Sequence, residues 1–98
     1  MDWQKGIPIH EKWVIVEIRY TYEYHLNGYE NLGFDRRMII QARYDIGKNQ
    51  WIPAYSIFGI CDHIPIENGL IDKGIHGTRI FQVLGWQELP NSMEDLEA

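Results

Sequence analysis

The sequence predicts a mostly β fold, a small antiparallel sheet of four or five strands, curled or barrel-like, with little helix. Three observations predict it. Ile occurs fifteen times in 98 residues against six Leu and three Ala, and β-branched side chains lose rotamer freedom in a helix but pack well on a pleated surface. Two segments alternate apolar and polar residues with a period of two. Gly, Pro and Asn interrupt the chain at short intervals, which leaves room for strands and hairpins but not for a long helix.

From Val14 to Tyr24 the even positions read Val14, Val16, Ile18, Tyr20, Tyr22 and Tyr24, while Glu17, Arg19, Thr21 and Glu23 occupy odd ones. Such alternation describes a long half-buried strand with its even face toward the core. Asn27-Gly28, or the wider Gly28–Gly33 loop, then reverses the chain, because both residue types tolerate positive φ. Residues 37–45 alternate Met38, Ile40, Ala42 and Tyr44 against Arg37, Gln41, Arg43 and Asp45, broken only by Ile39, which predicts an antiparallel partner strand. Ile46-Gly47-Lys48-Asn49 supplies its turn. A third strand is expected over Gln50–Ile60, where Pro53 marks an edge or a bulge because it cannot donate to a ladder. Cys61–Thr78 reads as an irregular connection with a short strand at Leu70-Ile71, and Arg79–Gln87 as the last strand. Residues 1–90 thus form a single domain, and 91–98 an acidic C-terminal tail, since one helical turn capped by Ser92 would fray in water.

The formal charge of −5 argues against binding nucleic acid through phosphate neutralisation. Glu88, Glu94, Asp95 and Glu97 carry most of the excess, so the body is nearly neutral, and a basic patch from Arg19, Arg36, Arg37 and Arg43 can exist on one face. Cys61 is the only cysteine, which removes any intramolecular disulfide and fits a reducing, cytoplasmic setting. The segment Met1–Gly6 has no basic stretch leading into an apolar one, and no apolar run approaches the ~18 residues of a membrane span, so neither export nor membrane insertion is expected.

Trp3 with Pro8, the strand Trp13-Val14-Ile15-Val16, Ala42-Arg43-Tyr44-Asp45 followed by Trp51, and the closing Gly85-Trp86-Gln87-Glu88-Leu89-Pro90 occur in a recognisable order. In that order they resemble the small phage and prophage proteins catalogued as domain of unknown function 551. The chain departs from that pattern at Gly85, where the family has His, and at Glu88, where it has Pro. The Tyr20–Asp35 and Cys61–Thr78 segments read as insertions. The resemblance implies a phage-encoded protein acting in the host cytoplasm and carries no established activity. The shared tryptophans Trp3, Trp13, Trp51 and Trp86 read as large apolar plugs for a thin core.

Several constellations carry chemistry in principle. Cys61, Asp62, His63 and His76, with Asp72, have zinc-ligand types but lack the paired-cysteine spacing of a structural site, so no metal is assigned. Cys61 with His76 would be a thiol nucleophile and base, yet the sequence shows no oxyanion-hole signature, and the chain is read as a non-enzyme needing no cofactor. Glu17 and Glu23 stand six residues apart on one strand face, too far to act on one bond. Gly74, His76, Gly77, Thr78 and Arg79 could cradle a phosphate, which makes a nucleotide-like ligand at a subunit interface the alternative reading, although no P-loop pattern is present.

Tyr22, Tyr24 and Tyr29 with Arg36 and Arg37 form the leading candidate site. Three tyrosines in succession near a strand end, with Tyr44 across the sheet, exceed what so small a core encloses, and Tyr with Arg is the composition of interface hot spots. The expectation is a protein-binding module docking on a host or partner protein, for example as an inhibitor of host defence, and able to homodimerise through its sheet edges.

Overall fold

The computed structural model describes residues 3–8, 10–25 and 33–89. The Asn27-Gly28 turn, Tyr29 and the acidic tail lie outside them. Six strands form one antiparallel sheet: β1 Trp13–Tyr24, β2 Phe34–Asp45, β3 Gln50–Pro53, β4 Ile64–Pro65, β5 Leu70–Lys73 and β6 Gly77–Glu88. Their order across the sheet is β4-β3-β2-β1-β6-β5. The sheet curls until β4 approaches β6, which nearly closes it into a barrel. A cavity of about 270 Å³ marks the seam, walled by Trp51 and Pro65 on one side and Gln82–Gly85 on the other. No helix among the described residues is long and apolar enough to cross a membrane.

The predicted period of two sets the inside. Val14, Val16, Ile18 and Tyr20 of β1 are buried together with Ala42 and Tyr44 of β2, and Met38 and Ile40 pack against them. In β6 the parity changes, because a bulge between Glu17 and Ile18 of β1 aligns Gly85 with Glu17 and Val83 with Ile18, leaving Leu84 as the extra residue. Phe81 and Val83 therefore share an inner face with Trp86. Across this core the buried apolar side chains each contribute about 1.5–3 kcal/mol relative to exposure.

Three details differ from the sequence reading. The third strand ends at Pro53 rather than Ile60: after the Ala54 N–H donates to the Gln41 carbonyl at 2.9 Å, the chain turns through Phe58, at φ 55°, to an Ile57–Cys61 bridge. The connection after Cys61 holds two short strands, which raises the strand number to six. Finally, only Trp51 and Trp86 plug the core. Trp13 and Trp3 are 40% and 37% exposed, because Trp13 sits at an odd, outward position under the Arg43 guanidinium, and Trp3 lies against Gly85 from outside. The adjoining Gln4 pairs with Trp86 through two backbone hydrogen bonds of 2.8 and 2.9 Å.

Candidate protein-docking site

The even face of β1 carries its tyrosines past the end of the aliphatic core. Tyr20 is buried, whereas Tyr22 and Tyr24 are half-buried. Their neighbours are set by register: Tyr20 faces Arg36 on β2 and Phe81 on β6, and Tyr22 faces Phe34 and Arg79. The rings form a connected cluster. Tyr20 lies 5.4 Å from Phe34, 5.1 Å from Phe58 and 4.9 Å from Phe81, while Tyr22 stacks on Phe34 at 5.6 Å and meets Tyr24 edge-on at 4.8 Å. Two cations cap it, Arg36 over Phe34 at 5.4 Å and Arg79 over Tyr22 at 5.9 Å. Guanidinium over an aromatic face is favourable and holds the fork in place while leaving its N–H groups free to bond.

Gly77 makes room for this arrangement. A Cβ there would fall 2.6 Å from the Tyr22 ring and from the Glu23 carbonyl oxygen. Between β2 and the 54–60 loop the cluster opens into a groove of about 440 Å³, lined by Tyr20, Phe34, Arg36, Arg37, Met38 and Phe58. Phe58 remains 58% exposed although it touches Tyr20, so the loop covers the core only in part.

Tyr22 and Tyr24 touch each other, and Tyr22 connects to Arg36 only through the Phe34 ring; Arg36 and Arg37 both line the groove, which Tyr22 and Tyr24 do not. Arg37 lies directly opposite Arg19, an odd position on the outer face, although it also contributes to the groove lining. Those two like charges are relieved by Asp35, which Arg19 grips through three contacts of 2.6 to 3.0 Å. The Arg19 hydrogen bond is the main reason the Asp35 carboxyl is held below its ordinary value. Tyr44 does not join the cluster. It is buried at the far end of the sheet against Trp51, with its hydroxyl donating to Asn49 Oδ1 at 3.3 Å. Phe34, Phe58 and Arg79 take its place. Of these, Phe34 and Arg79 had a signal, since each lies opposite Tyr22 once the strands are aligned; Phe58, on a loop, had none.

The Gly74–Arg79 segment is a hairpin turn whose polar groups largely have partners within the chain. The Gly74 N–H donates to the Gly77 carbonyl at 2.8 Å, the buried Thr78 hydroxyl bonds His25 Nε2 at 2.6 Å, and Arg79 covers Tyr22. His76 is exposed, and its carbonyl accepts from the His25 N–H.

Cys61 is fully buried, and its thiol leans on the His63 carbonyl at 3.8 Å. The His63 ring is taken by Asp62, Nδ1 to Oδ1 at 2.6 Å. No three of His, Cys, Asp and Glu gather among the described residues in a way that could hold a metal ion. Burial pushes the Cys61 thiol up to about 11, and the nearby Asp62 charge adds to the rise. A raised pKa means the folded state favours the neutral thiol. Cys61 should therefore resist iodoacetamide at pH 8 until urea unfolds the chain, and its contribution to stability should fade as pH climbs from about 9 toward 11. Alkylation of the native protein at the rate of a free thiol would contradict this.

No family model, no curated protein and no solved structure matches the chain.

Proposed function

We propose that the chain is a non-enzymatic protein-binding module that docks a partner on the aromatic and arginine end of its sheet. One observation carries the reading: a groove of about 440 Å³ lined by Tyr20, Phe34 and Phe58 with Arg36, Arg37 and Met38 stays open beside the core, and Phe34 links it to the half-buried Tyr22 and Tyr24. Rigid aromatic surface beside a guanidinium loses little side-chain entropy on binding and gains by desolvation, the combination found at interface hot spots. The buried, weakly acidic Cys61 supports the non-enzymatic reading by leaving the chain's one thiol unsuited to nucleophilic attack. The family resemblance adds a phage origin, in which such a module would act on a host protein, for instance by blocking a defence factor.

Affinity capture from a bacterial host lysate should retain a discrete partner. Tyr24→Ala and Arg36→Glu should each weaken it by about thirtyfold, the scale of a 2 kcal/mol hot spot, with unchanged far-UV circular dichroism. Ile46→Ala, on the exposed turn at the opposite end, should leave the affinity unchanged. Wild-type affinity in both site variants would refute the docking surface.

A further inference from the structure

We infer that the open edge of β2 takes an extended acidic peptide as an additional antiparallel strand. This rests on the protein-binding reading above and specifies its mode and its partner. β2 is 12 residues long but β3 only 4, and β3 covers no more than Ala42–Asp45. Pro53 stops the ladder there, so among the described residues nothing pairs with the outer edge of β2 from Phe34 to Ile40.

The direction of the unpaired groups follows from one bond. The Gln41 carbonyl accepts from the Ala54 N–H, so Gln41 points away from β1. Backbone groups of an antiparallel strand alternate sides, hence Asp35, Arg37 and Ile39 also turn N–H and C=O outward, while Phe34, Arg36, Met38 and Ile40 bond β1. A guest strand continuing the line that β3 abandons would complete up to six hydrogen bonds, two at each outward residue. Its alternate side chains would enter the groove lined by Phe34, Arg36, Met38 and Phe58.

Charge selects the guest. Asp35 is held in a close pair by Arg19 and feels Arg37 only at longer range, whereas neither Arg36 nor Arg37 makes a salt-bridge contact among the described residues. Adjacent positions of the guest thus meet Arg36 on the inner face and Arg37 on the outer face, and both call for carboxylates. Flanking inner positions opposite Phe34 and Met38 call for apolar side chains. A second copy of the chain fits less well, because the antiparallel register using the whole edge sets Arg37 against Arg37, and like charges directly opposite are destabilising.

The test uses the full chain and a blocked peptide, Thr-Val-Leu-Glu-Glu-Thr-Phe, which in antiparallel register places its two glutamates opposite Arg37 and then Arg36. Titration calorimetry should show binding that falls about tenfold or more when the glutamate opposite Arg37 becomes lysine, or in Arg37→Glu protein, with affinity recovered when these two reversals are combined. N-methylation of the glutamate opposite Arg37 removes an edge-facing N–H and should cost about tenfold, while the same change at the glutamate opposite Arg36 faces solvent and should cost less than about twofold. Equal losses at the two positions, or no binding, would overturn strand addition. If capture of a partner still depends on Tyr24 and Arg36 in that event, the docking surface survives without it. A dimer in light scattering that Arg37→Glu abolishes would assign the edge to a second copy and overturn the proposal. A truncation ending at Leu89 that binds peptide tenfold tighter would assign it to the chain's own acidic tail, with the same consequence.

Discussion

Phe81→Ala should lower the unfolding free energy by about 3–5 kcal/mol, the range for removing a buried phenylalanine from a core that cannot collapse onto the space. Phe81 is completely buried on β6, sits across from Tyr20 on β1 and Leu70 on β5, and carries ring contacts to Tyr20 and Phe58 at 4.9 and 6.3 Å. Its loss would empty the point where three strands and the 54–60 loop converge. A domain of this size has a total stability of about 5–15 kcal/mol, so the variant should be partly unfolded near body temperature. Urea titration followed by circular dichroism gives the measurement. Phe81→Leu, which keeps most of the volume, should recover all but about 1.5 kcal/mol. An alanine variant within about 1 kcal/mol of the parent would mean that the barrel interior repacks freely, and the groove above it would lose its rigid floor.

Gly69→Ala should destabilise by several kcal/mol, and Gly59→Ala by no more than about 1–2, although both glycines adopt nearly the same left-handed backbone, with φ of 70° and 73°. The difference is space. At Gly59 a Cβ would meet nothing within 4 Å, so only the backbone preference is lost. At Gly69 it would be driven into the Phe81 carbonyl oxygen and lie 2.9 Å from Gln82 Cγ, at the point where β5 enters its pairing with β6. Backbone cannot move aside as a flexible side chain does, so overpacking of about 1–3 kcal/mol adds to the strain. Thermal unfolding of the pair measures the contrast, at about 4–8 °C per kcal/mol for a domain of this length. Equal shifts would show that β5 docks loosely enough to yield.

The two long strands were legible because their faces differ in chemistry. Val14 through Tyr24 and Met38 through Tyr44 alternate apart from Ile15 and Ile39, and alternation states both the element and the side that is buried. In β6 the same rule fails at Leu84, where the bulge moves Trp86 inward from a position that simple counting assigns to the outside. The site was half legible. Tyr22, Tyr24 and Arg36 share even parity, and Tyr22 and Arg36 meet the same Phe34 ring. Arg37 adjoins Arg36 in sequence, and adjacency in a strand means opposite faces. Tyr44 has the right parity but the wrong height, since β1 and β2 run antiparallel and Tyr44 lies at the far end from Tyr22.

From the amino-acid order alone come the β class, the hairpin direction of the first two strands, their inner face and the lack of a disulfide within these 98 residues, because each depends on local side-chain chemistry or a residue count. Tertiary structure decided the closure of the sheet, the place of Phe58 over Tyr20, and how much of β2 is left without a neighbour among the described residues. Those depend on how far each strand extends against its neighbour, and where one proline ends a ladder only the rest of the fold decides what lies beside the strand it leaves.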